Sequence, residues 1–390
     1  MNRIAASLVA ALATGAIAVS PAPLRAAEGV SADQVTFAQV AALEGPAAAL
    51  GLGMQTGLRA AFAEANAAGG IHGRQIVLDS FDDGYEPDRS IDQVKALISG
   101  DGHLGLVGMV GTPTASATQP ISTEAQMPYI GAFTGAGFLR DASHGNIFNV
   151  RASYFAETEA WIRYLVDERG MDTIALLYQD DGFGRVGLNG VTEALERRGM
   201  TLAATGTYTR NTVAVKKALL DIRKAEPDAV VMVGAYKPVA EFIKLARKLK
   251  LDPTFVNISF VGSDALAQEL GEAGEGVIIS QVVPFPWDDS LPLVADYTRA
   301  LAALDPAVEP GFVSLEGYLA GRLVIEALEA AGPRLTRAGF LAALNGLREV
   351  DFGGVTMTFG PDDNQGMDSV FLTRITAEGD FQPVAGSGGS

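Results

Sequence analysis

Apolar positions fall along this chain in two kinds of run. Short blocks rich in Val, Ile, Phe and Ala alternate with longer stretches in which apolar residues recur every three or four positions. The first kind fits strands buried on both faces, and the second fits amphipathic helices. Residues 35–40 read as a strand, and 47–67 as a helix stopped at Gly69-Gly70. Residues 75–79 read as a second strand, followed by a helix to about 99 opened by Glu86-Pro87. A third strand over 104–110, a helix over 116–125 and a fourth strand over 129–133 complete a βαβα series. That order predicts a parallel sheet with helices on both faces.

The pattern restarts near 149–154. Helical periodicity over 154–169, 183–198, 212–225, 238–249 and 265–270 alternates with strand-like blocks at 173–178, 201–207, 228–233, 255–261 and 276–283. Two consecutive doubly wound units follow from this. Three helices then come in a row, over 291–304, 312–331 and 336–347, without strands of their own. They must pack on a sheet that already exists. Residues 355–359 and 370–375 read as a hairpin turning at Gly360-Pro361-Asp362-Asp363.

Both ends differ from this pattern. Residues 1–26 hold Arg3, an apolar small-residue stretch to Ser20, breakers at Pro21 and Pro23, and Leu24-Arg25-Ala26 before a cleavage point. These features predict a secretory signal peptide with an apolar core too short for a comfortable membrane span. No later run of 18 apolar residues occurs, so no membrane insertion is expected after cleavage. Residues 386–390 read as a flexible tail.

Composition narrows the function. The chain has 390 residues, 48% hydrophobic and 19% charged, which is globular composition. Its formal charge of −17 opposes binding to nucleic acid or to anionic membrane. Cysteine is absent, so an exported form has neither a disulfide nor a lipidation site. A bacterial periplasm, with the protein free in solution, is the expected compartment.

Few residues suggest catalysis. Gly182-Phe183-Gly184-Arg185-Val186-Gly187 matches G-x-G-x-x-G between a strand and a helix. Asp180 and Asp181 immediately precede it, where a pyrophosphate needs positive potential, so the glycines read as turn and packing residues. His72, His103 and His144 are scattered, and the Asp-rich stretches at 180–182 and 362–364 lack calcium-loop spacing. No G-x-S-x-G elbow occurs and no histidine is placed to activate a Ser or Thr. No enzyme, cofactor or metal site is expected.

Binding is the alternative. Residues 107–120 read VGMVGTPTASATQP, so Thr112, Thr114 and Ser116 stand where a buried strand hands over to a helix. Free backbone N–H groups there suit a carboxylate, although a plain helix cap explains the hydroxyls equally. Asp264, after the run Phe260-Val261-Gly262-Ser263, ends another buried block. It is either an N-cap or, if the two units face each other, an acceptor for an ammonium group opposite Thr112. Tyr154 and Tyr236 are aromatics at further strand ends, where packing is the commoner role.

These residues resemble the leucine/isoleucine/valine-binding protein family, the type I periplasmic binding proteins of ABC importers. The resemblance covers about residues 31–385. It rests on FAQVAALEGPAAALG, AAFAEANAAGGIHGRQIVL, VGMVGTPTASATQP, YQDDGFG, VGAYKP and FVGSDAL. It implies two Rossmann-like doubly wound α/β lobes joined by a three-crossover hinge, near 149–152, 282–286 and 350–353. Lobe 1 would comprise 31–150 plus 285–350, and lobe 2 151–284 plus 351–385. It also implies that the lobes close on a ligand by hinge motion.

By the same resemblance, Thr112 takes the ligand carboxylate together with Phe133-Thr134-Gly135. Gly135 stands where the family commonly has a hydroxyl, and Phe183 where it often has tyrosine. Tyr154 falls at a polar ligand position, Tyr236 at an aromatic one, and Leu50 near a position that can be aromatic. Asp264 matches the acid that holds the ammonium, shortened from the frequent Glu. The expected function is capture of an amino acid, branched-chain or related, including γ-amino acids, for delivery to an inner-membrane ABC permease. The alternatives are a ligand-sensing module feeding a receptor and a binder of amine-free aromatic carboxylates.

Overall fold

The computed structural model describes residues 28–384; the signal peptide and the tail at 386–390 lie outside the described residues. The chain opens with β1 (Gln34–Ala41), α1 (Ala48–Ala67), β2 (Gln75–Asp82), α2 (Pro87–Ser99), β3 (Leu106–Val107), α3 (Thr112–Glu124), β4 (Tyr129–Ile130) and β5 (Ile147–Phe148). These strands form one parallel sheet in the order β2-β1-β3-β4-β5. The third strand is much shorter than the apolar run 104–110. Its continuation is a single bridge between Val110 and Phe133, because Gly108 and Gly111 take positive φ and bend the chain out of the ladder.

The chain then crosses to a second sheet. α4 (Tyr154–Ile162) continues as a π-helical stretch over Arg163–Glu168. There follow β6 (Ile174–Gln179), α5 (Gly182–Glu196), β7 (Ala204–Tyr208), α6 (Lys216–Arg223), β8 (Ala229–Val233), α7 (Tyr236–Lys248), β9 (Thr254–Asn257), α8 (Ser263–Leu270) and β10 (Ile278–Gln281). After the second crossing come α9 (Pro292–Leu304), α10 (Phe312–Ala331) and α11 (Arg337–Gly346). The last strands are β11 (Glu349–Asp351), β12 (Thr356–Thr358), β13 (Phe371–Ile375) and β14 (Phe381–Pro383). The second sheet runs β14-β13-β10-β9-β8-β6-β7, parallel except for β13 and β14.

The three successive helices return to the first sheet's layers. α9 and α10 pack on α1, and their apolar residues Leu293, Tyr297, Leu319 and Leu323 share a core with Phe37, Leu58 and Ile130. α1 and α10 approach closely because both carry glycine at the crossing. A Cβ on Gly57 would stand 1.8 Å from the Ser314 carbonyl oxygen, and one on Gly317 2.4 Å from that of Met54.

The expected hairpin over 355–375 does not form. β12 pairs with β11, and β13 pairs with β10 and β14. Between them, Asn364 donates to the carbonyls of Leu139 and Ile147, Gln365 bridges to Asn149, and Met357, Phe359 and Met367 pack with Phe148. The chain therefore stays with the first sheet as far as Met367 and joins the second at Phe371, later than the crossing expected at 350–353. Apolar packing against β5 holds it there.

A buried charge cluster sits at the first crossing. Arg151 is fully buried, with Nη2 3.3 Å from Glu157 Oε1 and hydrogen-bonded to Ser259. Its Nε lies 3.7 Å from Glu316 Oε1 on α10. Glu157 accepts from the Ser259 N–H and hydroxyl, each at 2.9 Å, and from Ser280. One guanidinium thus links α10, which packs with the first sheet, to α4 and the turn after β9 of the second. Burial pushes the Glu316 carboxyl up to about 7, with Arg151 opposing.

Candidate functional site

Open parallel sheets bind ligands beyond the carboxyl ends of their strands, where the strand order reverses. In the first sheet the reversal lies between β1 and β3, and in the second between β6 and β8. The segments leaving those strands carry Leu50, Thr112, Phe183 and Tyr236, and they meet across the interface between the two units.

The first group of side chains gathers around Thr112. Thr112 is the first residue of α3, and its Oγ1 is 2.7 Å from Thr134 Oγ1, with both residues buried. The Ala136 N–H donates to Thr134 Oγ1 at 3.3 Å. The neighbouring hydroxyls do otherwise: Thr114 bonds back to the carbonyls of Val110 and Gly111, and Ser116 is exposed. Of the three hydroxyls at this strand end, Thr112 pairs with Thr134, Thr114 turns back on the end of its own strand, and Ser116 faces solvent.

Gly135 explains its own departure from the family pattern. A Cβ there would lie 2.5 Å from Tyr154 Cδ1 and 2.6 Å from Tyr154 N, and the Tyr154 N–H donates to the Gly135 carbonyl at 2.8 Å. The Tyr154 ring occupies the space that a hydroxyl side chain would need. Its own hydroxyl is buried close to Thr134 but completes no hydrogen bond of acceptable geometry, and burial raises it to about 12.

Aromatic rings fill the rest of this group. Phe183 lies 5.5 Å from Tyr154 and 4.7 Å from Phe260, while Phe133 lies 5.3 Å and Tyr85 5.9 Å from Phe260. Phe260 comes from the second unit, and Phe133 and Tyr85 from the first, so the rings close the cleft across the interface. The Arg151 guanidinium stands 5.0 Å from the Phe133 ring and 5.6 Å from the Tyr154 ring. A polar relay crosses nearby: the Ala235 N–H donates to Tyr208, Tyr208 to Gln179, and Gln179 to the Tyr85 hydroxyl at 3.3 Å.

The second group lies where α1, α8 and α10 converge. Leu50, Asp264, Gly262, Gly311 and Ser314 line a crevice of about 290 Å³ there. The Ala49 N–H points to the Tyr236 hydroxyl at 3.5 Å, which ties α7 to α1 across the interface. The Asp264 carboxylate faces the Phe312 N–H at the start of α10, and a Cβ on Gly311 would stand 2.5 Å from its Oδ2. No cation contributes to its environment, and burial pushes it up to about 6. Thr112 and Asp264 share no hydrogen bond: the first is bound to Thr134, and the second faces α10.

The structure also brings forward residues that the sequence reading passed over. Phe260 fell inside a block read as strand 255–261, but β9 ends at Asn257 and a 3-10 turn over Ser259–Val261 turns the ring into the cleft. Tyr85 sits in a left-handed conformation, φ 62°, at the end of an Asp-Asp-Gly turn, and that turn was the available signal. Arg151 carried little local signal: Glu157 lies six residues on, but Ser259 and Glu316 are far off in sequence. In the G-x-G-x-x-G stretch, Asp181 caps α5 by accepting the Phe183 N–H at 2.9 Å, which uses the donor a phosphate would take. Among the described residues no cluster of His, Asp or Glu could hold a metal ion, and no helix is long and apolar enough to cross a membrane.

Comparison with known proteins agrees with this architecture. The profile described as "Periplasmic binding protein" matches residues 34–380. A solved structure of a possible leucine/isoleucine/valine-binding protein from Rhodopirellula baltica superposes with a TM-score of 0.86 at 36% identity, covering 93% of this chain and 98% of that one. The Leu/Ile/Val-binding protein homolog 7 of Brucella abortus is 26% identical over 80% of this chain and 81% of its own length. The leucine-specific-binding protein of Salmonella typhimurium is 21% identical over 93% and 92%. With a family profile spanning both sheets and the ligand cleft of that fold between them, this chain belongs to the periplasmic binding proteins of the Leu/Ile/Val-binding type.

Proposed function

We propose that this protein captures an amino acid, branched-chain or a close analogue such as a γ-amino acid, between its lobes and delivers it to an ABC importer. It catalyses nothing. Lobe 1 comprises 31–150 plus 285–350 and the segment through 367 that packs with it; lobe 2 comprises 151–284 and the closing strands. After signal cleavage the mature chain works free in the periplasm. Thr112, Thr134 and the N–H groups at the start of α3 hold the ligand carboxylate. Asp264 takes the ammonium, while Leu50, Phe133, Gly135, Tyr154, Phe183 and Tyr236 shape the remaining volume. A ligand that touches both lobes favours the closed state by the difference in its affinity for the two states.

The observation that carries this reading is Asp264. A partly buried carboxylate in an interlobe crevice, with no cation beside it, is unfavourable unless something charged arrives. An ammonium is the natural complement. A second reading is favoured by the rings of Tyr85, Phe133, Phe183 and Phe260, which suit a flat apolar body, and by the Phe312 N–H that already faces Asp264. In that reading the ligand is an amine-free aromatic carboxylate and Asp264 is an interlobe helix cap.

Calorimetry separates the two. The mature chain is unfolded and refolded to strip co-purified ligand. It is then titrated with the common amino acids, γ-aminobutyrate and aromatic carboxylates. One-to-one binding of an amine-bearing ligand, lost in Asp264→Ala, supports the first reading. Binding restricted to amine-free acids replaces it with the second.

A further inference from the structure

The edge of the cleft away from the crossings carries a contact that requires no ligand. β2 stands at the opposite edge of its sheet from β5, and β7 at the opposite edge of its sheet from β13 and β14. The turns leaving β2 and β7 meet. Arg210 Nη2 donates to Glu86 Oε2 at 2.8 Å, and Arg210 Nη1 donates to Asp181 Oδ2 at 3.0 Å. Asn211 Nδ2 donates to Glu86 Oε1 at 2.7 Å and to the Gly84 carbonyl at 3.0 Å. Both oxygens of one first-lobe carboxylate are therefore held by the second lobe. The Arg210 guanidinium also lies 5.8 Å from the Tyr85 ring, which is itself packed on Phe260.

Two features set this contact apart from an ordinary surface pair. Tyr85 and Asn211 both hold left-handed backbone conformations, φ 62° and 60°, so each turn is bent into the shape that lets the two meet. Asp181, on the same lobe as Arg210, holds the guanidinium in place from behind. We propose that Arg210 and Asn211 form a clasp on Glu86 that sets the closed fraction of the ligand-free protein, and with it the residence time of whatever ligand is bound. Rotation about the crossings separates the far edges most, so the clasp must break whenever the lobes open. Its free energy enters the open–closed equilibrium directly and is independent of the ligand's identity. In binding kinetics it acts on release more than on capture.

The test uses the ligand-stripped mature chain. Because the sequence has no cysteine, Lys95→Cys on the first lobe and Lys248→Cys on the second give two unique dye positions at exposed residues. Single-molecule energy transfer then reads the open-to-closed ratio without any ligand. Glu86→Gln is expected to raise that ratio by about three- to fivefold, as befits a half-exposed ion pair. Arg210→Gln should do the same, with the double variant no more open than either single one. Raising the salt from roughly 0.1 to 1 M should open the unsubstituted chain and leave the Glu86→Gln variant nearly unmoved. An unchanged ratio in Glu86→Gln, or simple addition of the two substitutions, overturns the clasp. The salt response of the unsubstituted chain decides the matter even if a variant folds poorly: no opening with salt overturns it.

Discussion

Asp264→Asn separates the cost of the interlobe carboxylate from its use. Burial raises the group from 3.8 to about 6. At about 1.4 kcal/mol per pKa unit, the ionised form costs the ligand-free fold about 3 kcal/mol near neutral pH. The folded pKa lies above the unfolded one, so this contribution favours the fold below pH 3.8 and is lost as pH rises through 6. The asparagine variant escapes the penalty. Its melting temperature should exceed that of the unsubstituted protein at pH 7.5, with the gap closing towards pH 4. Binding should move the other way, because an ammonium ligand needs the ionised carboxylate. Affinity is then flat above pH 7 and falls below 6, weakening about 30-fold between pH 7.5 and 4.5. Calorimetry in buffers of different ionisation enthalpy should detect proton release on binding near pH 6. If the variant keeps its affinity for an amine-bearing ligand, or if affinity rises on acidification, the ammonium assignment is wrong. The second outcome is the one expected for an amine-free carboxylate approaching a buried anion.

Three further outcomes follow from the same geometry. Thr112→Val and Thr134→Val should each weaken carboxylate binding by about 1.5–3 kcal/mol, read by calorimetry, and should also lower the melting temperature of the ligand-free protein, because each leaves the other's buried hydroxyl without its partner. Gly57→Ala should destabilise the protein by about 3 kcal/mol in a denaturant titration, because the new Cβ meets the Ser314 carbonyl at 1.8 Å and the α1–α10 crossing must spread. The ligand-free protein should melt about 3–8 °C higher at pH 5 than at pH 8. Asp83 and Asp264 are raised to about 6 and Glu316 to about 7, so all three favour the fold while protonated and lose that contribution as pH rises. Differential scanning calorimetry across that range checks the sign.

The α/β architecture was legible because its two sheets are buried on both faces, and buried strands and amphipathic helices leave different periods in the sequence. Ladder ends were less legible. The run 104–110 has the composition of a long strand, yet positive φ at Gly108 and Gly111 limits it to two residues, and nothing in hydrophobicity reports φ. The closing segment was misread for a related reason. Residues 355–359 and 370–375 both alternate as strands, but their partners are set by packing on Phe148 and by the free edge of β10, which no local pattern encodes.

The proposed site divides along the same line. Thr112 and Asp264 could be picked out because a polar residue at the end of a buried run is locally conspicuous. What each one faces depends on residues distant in sequence. Thr112 meets Thr134, 22 positions on, and Asp264 meets Phe312, which enters only with the returning helices. Phe260 is the sharpest case. As one apolar residue inside an apolar block it reads as core, and in the structure it is core, since its ring is fully buried. Its neighbours, however, are Tyr85 and Phe133 of the opposite lobe as well as Phe183 of its own. A ring packed on both lobes counts towards the contact between them as well as towards the folding of its own lobe. Apolar surface of that kind looks like ordinary core in the sequence, and only the fold shows that its neighbours come from two sheets.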